Sequence, residues 1–201
     1  MGSSSESVPL LPPASGAWFE TDTVGRRKFF EGGPLALEAG GELEQFTLAY
    51  ETWGELNEDG SNAVLILHAL TGDSHLSGET GPGHPTAGWW TDLIGAGAPI
   101  DTERYFVVAP NILGGCQGST GPASLREGAY SPDTSSSVPV GSPTQARWGG
   151  DFPFVTIRDT VAAEAQLADE LGIDTWQMVI GGSLGGMRAL EWAAMFPGRV
   201  A

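Results

Sequence analysis

Apolar residues gather in short blocks along the chain, and the spacing inside each block predicts an element. Leu35-Ala36-Leu37-Glu38 and Phe46-Thr47-Leu48-Ala49-Tyr50, parted by Gly40-Gly41, have the composition of two early strands. Ala63-Val64-Leu65-Ile66-Leu67 is apolar at every position and rich in branched side chains, the pattern of a strand buried on both faces of a parallel sheet. Tyr105-Phe106-Val107-Val108-Ala109 repeats that pattern and is stopped by Pro110-Asn111. Between them, Trp89 to Ile94 is expected to form a short helix. Thr156 and Asp159 give a capping-box start, with Asp where Glu is usual. Val161, Ala165, Ala168 and Leu171 then recur at helical spacing until Gly172 ends the run. Trp176 to Ile180 reads as a strand, and Met187 to Met195 as a helix ending at Pro197-Gly198. Strands alternating with helices predict an α/β fold: a mostly parallel central sheet with flanking helices.

The stretch from 112 to 150 is long and rich in Gly, Ser and Pro, which inside a compact domain marks a functional or a disordered connection. Its first half, Leu113 to Pro122, is the kind of glycine-rich segment that lies close to a site; its second half, around Ser131 to Ser142, is expected at the surface. Residues 1–17 read as a flexible polar head, and 18–201 as the domain.

Charge and composition narrow the function. With 9 Lys+Arg against 25 Asp+Glu the net charge is −16, and Arg26-Arg27-Lys28 is too short a basic cluster to be a nucleic-acid footprint. No apolar run approaches the roughly 18 residues of a membrane span. The start of the chain shows no secretory signal, and the single cysteine, Cys116, requires no oxidising compartment, so the expectation is a cytoplasmic protein. Cys116 itself is expected to be a small buried hydrophobe.

The chemistry concentrates at Gly181-Gly182-Ser183-Leu184-Gly185. The bare G-x-S-x-G pattern is weak in a chain with 30 glycines, but a strand runs into it and a helix runs out, the context of a nucleophile elbow. Side chains at Gly181 and Gly185 would clash in so tight a turn, and Ser183 would stand above the sheet as nucleophile. The backbone N–H of Leu184, at a helix N-terminus, is one oxyanion donor. The other is assigned to the Leu70 N–H, in the loop that leaves the strand ending at Leu67. A serine between two such donors suits acyl transfer or hydrolysis. Its base is the gap, because in this fold the order is Ser, Asp/Glu, His, and the residues after Ser183 hold no histidine and one acid, Glu191. Of the three histidines, His68 at a strand end is open to a role as base but on chain order is expected to shape its loop, and His75 and His84 could line a pocket but are expected at the surface. No ligand spacing supports a metal site.

Several blocks together carry a resemblance: Thr52 to Asn57, His68 to His75, Gly88-Trp89-Trp90, Pro99 to Thr102, Asn111 to Pro122 and Gly181 to Trp192. From about residue 30 onward the chain resembles the homoserine O-acetyltransferases of the α/β-hydrolase superfamily, the MetX type. The resemblance implies a two-step reaction in which Ser183 takes acetyl from acetyl-CoA and passes it to L-homoserine for methionine synthesis. It also implies a cytoplasmic homodimer with no bound cofactor and a site beneath a helical lid that excludes water. The family's later strands, lid, catalytic Asp and His and substrate-binding Arg have no counterpart here, so the expectation is a truncated α/β-hydrolase domain, inactive alone. Arg104, Arg126, Arg147 and Arg188 are available for the phosphates of CoA. The alternatives are a homoserine O-succinyltransferase or serine O-acyltransferase of the same family, a plain esterase, and a truncated inactive product.

Overall fold

The structure, a computed structural model, describes residues 16–126 and 147–201; the expected flexible head and the Ser131–Ser142 stretch fall almost wholly outside the described residues. The chain runs through β1 (Lys28–Gly32), β2 (Leu35–Ala36), β3 (Glu42–Leu43), β4 (Phe46–Trp53), β5 (Ala63–Leu67), β6 (Ile94–Gly95), β7 (Ile100–Asp101) and β8 (Phe106–Pro110). It continues through α1 (Ile157–Glu170), β9 (Met178–Gly181) and α2 (Leu184–Met195). The central sheet has five strands in the order β1-β4-β8-β5-β9. β1 and β4, and β4 and β8, pair antiparallel, while β8, β5 and β9 are parallel. The α/β class is as expected, in a mixed sheet whose parallel half carries the serine. No described helix is long and apolar enough to cross a membrane.

β5 shows why an unbroken apolar run reads as an interior strand. Ala63, Leu65 and Leu67 face the cluster built with α1, Trp176 and Trp192, whereas Val64 and Ile66 face the opposite cluster with Leu76, Ile94 and Val107. The strand is buried along its whole length, on both sides of the pleat. One face is covered by α1 and α2. The other is covered by the excursion from 68 to 105 rather than by helices.

Local chemistry sets the ends of α1. Thr156 accepts from the Asp159 N–H while the Asp159 carboxylate accepts from the Thr156 N–H, a reciprocal box completed by Asp in place of Glu. Gly172, at φ 72°, follows the last turn.

Two local expectations are corrected, and one strand appears that none had covered. Trp89 to Ile94 is a set of turns: the Leu93 N–H closes a three-residue turn onto Trp90 O, the Leu93 carbonyl accepts from the Ile100 N–H, and Ile94 begins β6 against β7. Lys28–Gly32 is a strand, in register along β4 from Lys28↔Tyr50 to Gly32↔Phe46. The predicted Leu35–Glu38 strand pairs over two residues only, with β3.

Candidate active site

Because β8, β5 and β9 are parallel, their last residues Pro110, Leu67 and Gly181 lie along one edge of the sheet. The chain goes from β5 to β8 on one side, then from β8 through α1 to β9 on the other. Such a reversal opens a crevice beyond the strand ends, where open α/β sheets place their ligands.

The turn from β9 into α2 sits at that crevice. Ser183 has φ 56° and ψ −122°, and it is the only non-glycine residue with positive φ among the described residues. A non-glycine residue holds such a conformation only where its surroundings enforce it. Here they do. A Cβ on Gly181 would lie 2.2 Å from Gly185 O, and one on Gly185 would lie 1.9 Å from Leu67 O. Helix and strand therefore approach to backbone contact, and the serine between them is turned outward. It is exposed, and its hydroxyl makes no capping bond to α2.

Leu70 and Leu184 line one open cleft of about 680 Å³, together with His68, Asn111, the glycine-rich segment Ile112–Gln117 and Phe152–Val155. The cleft thus brings together the two loops assigned to the oxyanion donors. Phe154 is 75 % exposed and Leu70 77 % exposed, so the cleft has an apolar rim.

His68 cross-links the strand ends. Its Nδ1 lies 2.7 Å from Ala69 O and its Nε2 accepts the Ile112 N–H at 3.1 Å, which fixes a neutral ring with the proton on Nδ1. Burial, helped by the positive charge of Arg188, pushes its pKa down to about 4. Neutral at ordinary pH and bonded at both nitrogens, it shapes the loop as expected and has no lone pair left to activate Ser183.

Four side chains lie elsewhere than the sequence suggested. His75 and His84 are buried rather than at the surface, because both turn inward onto Glu51, at 3.1 and 3.7 Å. Cys116 is exposed and lines the cleft rather than filling a core, since its segment leaves the end of β8 and runs out along β4, where the Thr120 N–H donates to Thr47 O. Arg188 is fully buried against Glu164, which also accepts the Trp192 indole N–H at 2.8 Å, so it cannot meet the phosphates of CoA. Glu191 pairs with Arg158 at 3.3 Å.

Glu51, His75 and His84 bring donor atoms within 4.8 Å of one another. The two imidazoles are stacked at 3.9 Å and 12°, so their in-plane lone pairs run side by side and do not converge on one ion. The Arg26 N–H already occupies His84 Nε2, and the Arg26 guanidinium lies 3.7 Å from the carboxylate. The cluster has the chemistry of a hydrogen-bond network. Sequence reading missed it, although an acid inside the otherwise buried strand Phe46–Trp53 is a signal that could have found it.

Residues 62–201 match the family model described as the alpha/beta hydrolase fold. The chain is 59 % identical over 198 residues to the homoserine O-acetyltransferase of Thermobifida fusca (strain YX), covering 98 % of this chain and 48 % of the relative. It is 49 % identical over 187 residues to the homoserine O-succinyltransferase of Laribacter hongkongensis (strain HLHK9), covering 91 % and 45 %. Among solved structures it resembles esterase E22, with a TM-score of 0.72 at 34 % identity over 87 % of this chain and 45 % of that one. The chain spans about half the length of the curated relatives it matches.

Proposed function

The chain belongs to the alpha/beta hydrolase fold family, and from that premise we propose that it forms the nucleophile-bearing part of a homoserine O-acetyltransferase. The observation that carries the reading is the outward, strained Ser183 at the β9–α2 turn, followed directly by Leu184, which lines the cleft together with Leu70. Ser183 Oγ attacks the thioester carbonyl of acetyl-CoA while the oxyanion is held by the two backbone N–H groups. The C–S bond breaks and CoA leaves as the thiol with the serine proton. The hydroxyl of L-homoserine then attacks the acetyl-serine ester, releasing O-acetyl-L-homoserine and returning a proton to Ser183.

All three histidines are engaged elsewhere, His68 at both nitrogens and the other two at Glu51, so the base comes from polypeptide outside these 201 residues. Acetyl is chosen over succinyl because the homoserine O-acetyltransferase of Thermobifida fusca is 59 % identical to this chain and the homoserine O-succinyltransferase of Laribacter hongkongensis 49 %. Acetyl-CoA is a co-substrate with no bound cofactor, and the whole protein is assigned to the cytoplasm as a homodimer. A second reading, ester hydrolysis with water as acceptor, draws on the likeness to esterase E22.

The test incubates the whole protein with acetyl-CoA and no acceptor, then maps the adduct by peptide mass spectrometry. The expected result is acetyl on the peptide carrying Ser183, discharged faster by homoserine than by water. An adduct that persists in Ser183→Ala sinks the reading, and discharge indifferent to homoserine selects the esterase.

A further inference from the structure

Glu51 lies in β4, opposite Ala109 of β8, with no exposed surface. A carboxylate survives such burial only where both oxygens are bonded. Its Oε1 accepts from Ser74 Oγ at 3.0 Å, and its Oε2 lies 3.1 Å from His75 Nδ1.

Each oxygen starts an arm that reaches the wall of the cleft. On the first, the Ser74 N–H donates to Asn111 Oδ1 at 2.8 Å. Asn111 Nδ2 donates back to Ser74 Oγ at 3.2 Å and onward to Gln117 O at 2.7 Å. On the second, His75 stacks on His84, whose Nε2 accepts the Arg26 N–H at 2.9 Å. The neighbouring Arg27 guanidinium donates to Gln117 O at 3.2 Å and to Gln117 Oε1 at 2.9 Å. Both arms therefore converge on Gln117. Ser74 and His75 also lie on the stretch that begins at His68 and carries Leu70.

We propose that Glu51 is a positioning residue for acyl transfer: its two arms set the spacing between the Leu70 loop and the Asn111–Gln117 wall of the cleft beside Ser183. The proposal rests on the acyl-transfer reading above. Oxyanion donors act only when pre-placed, and a displacement of about 1 Å costs up to about a hundredfold in rate.

The experiment is stopped-flow acylation of the whole protein by p-nitrophenyl acetate, read as the rate and amplitude of the p-nitrophenol burst, with the KM for homoserine measured alongside. Glu51→Ala is expected to slow the burst about tenfold or more, leaving amplitude and KM unchanged. Glu51→Gln is expected to restore it to within about threefold, because the amide keeps an acceptor for Ser74 and offers an N–H to His75 Nδ1 once the ring proton moves to Nε2. A folded Glu51→Ala protein with a wild-type burst rate overturns the proposal, and so does a Glu51→Gln protein as slow as Glu51→Ala. Should Glu51→Ala not fold, Ser74→Ala decides: it cuts the first arm and leaves the carboxylate its histidine, so a wild-type burst there overturns the proposal as well. A burst abolished by Ser183→Ala but untouched by these variants removes the Glu51 assignment alone, whereas a burst that survives Ser183→Ala removes the acyl-transfer reading and the proposal with it.

Discussion

Acidification is expected to destabilise the fold through His68. The native ring gives one N–H to Ala69 O and takes one from Ile112, and burial holds its pKa at about 4 against the usual 6.5. An unfolded chain binds this proton more readily than the native one, so the His68 contribution is fully present above about pH 6.5 and is lost as pH falls toward 4. A shift of that size corresponds to about 3 kcal/mol, of which about 2.5 kcal/mol falls between pH 7 and pH 4.5. Urea melts of the protein at those two pH values, run beside His68→Gln, measure it. Glutamine keeps an acceptor near the Ile112 N–H and does not titrate, and carboxylates that protonate in the same window act on both proteins alike. The wild type should therefore lose about 2.5 kcal/mol more than the variant. Equal losses, within about 0.5 kcal/mol, would refute the assignment of a buried neutral histidine.

Gly185→Ala would place a Cβ 1.9 Å from Leu67 O; urea melts should show a loss of about 3 kcal/mol, and fluorophosphonate labelling of Ser183 should disappear. Thr156→Ala removes the capping box and is expected to cost about 1 kcal/mol in the same melts without changing Ser183 labelling. Arg188→Met leaves the Glu164 carboxylate buried without its cation and should cost about 3 to 5 kcal/mol, whereas changing both residues to Met should recover most of it. Residues 1–201 expressed alone are expected to show no acyltransferase turnover above background; turnover that Ser183→Ala abolishes would mean that the chain holds its own base.

Elements whose evidence is local were legible. The apolar run Ala63–Leu67, the box at Thr156 and the glycines flanking Ser183 each state their conformation within a few residues. What escaped was set by partners distant in sequence. Lys28–Gly32 is a strand because β4 lies beside it, and Phe30 is buried while Phe29 is 36 % exposed, an alternation too short to read before the pairing is known. Trp89–Ile94 is apolar enough to read as a short helix, yet its end is taken up by the pairing of β6 with β7 and by the bond from the Ile100 N–H to Leu93 O. His75 and His84 sit in a glycine-rich loop that pattern alone puts at the surface, and they are drawn inside by one acid in another strand. Polar burial is the hardest property to read from sequence, because its cost is offset only by partners the fold brings from elsewhere.

The same logic explains how the site is divided. A nucleophile and its oxyanion donors must be held rigidly, and here every holding device is backbone contact or buried polar bonding: Gly181 against Gly185, Gly185 against Leu67, His68 between Ala69 and Ile112. A general base needs a titratable nitrogen with a free lone pair near the serine, and each histidine here has been given to holding something else. His68 illustrates the exchange most clearly. Its place at the end of β5 beside the cleft would suit a base, but the burial that makes it an effective brace, together with the positive charge of Arg188, holds it neutral, and the Ile112 N–H occupies the lone pair on Nε2. Replacing it should thus disturb the position of the Leu70 loop and leave no ionisation in the pH–rate profile altered near its own pKa.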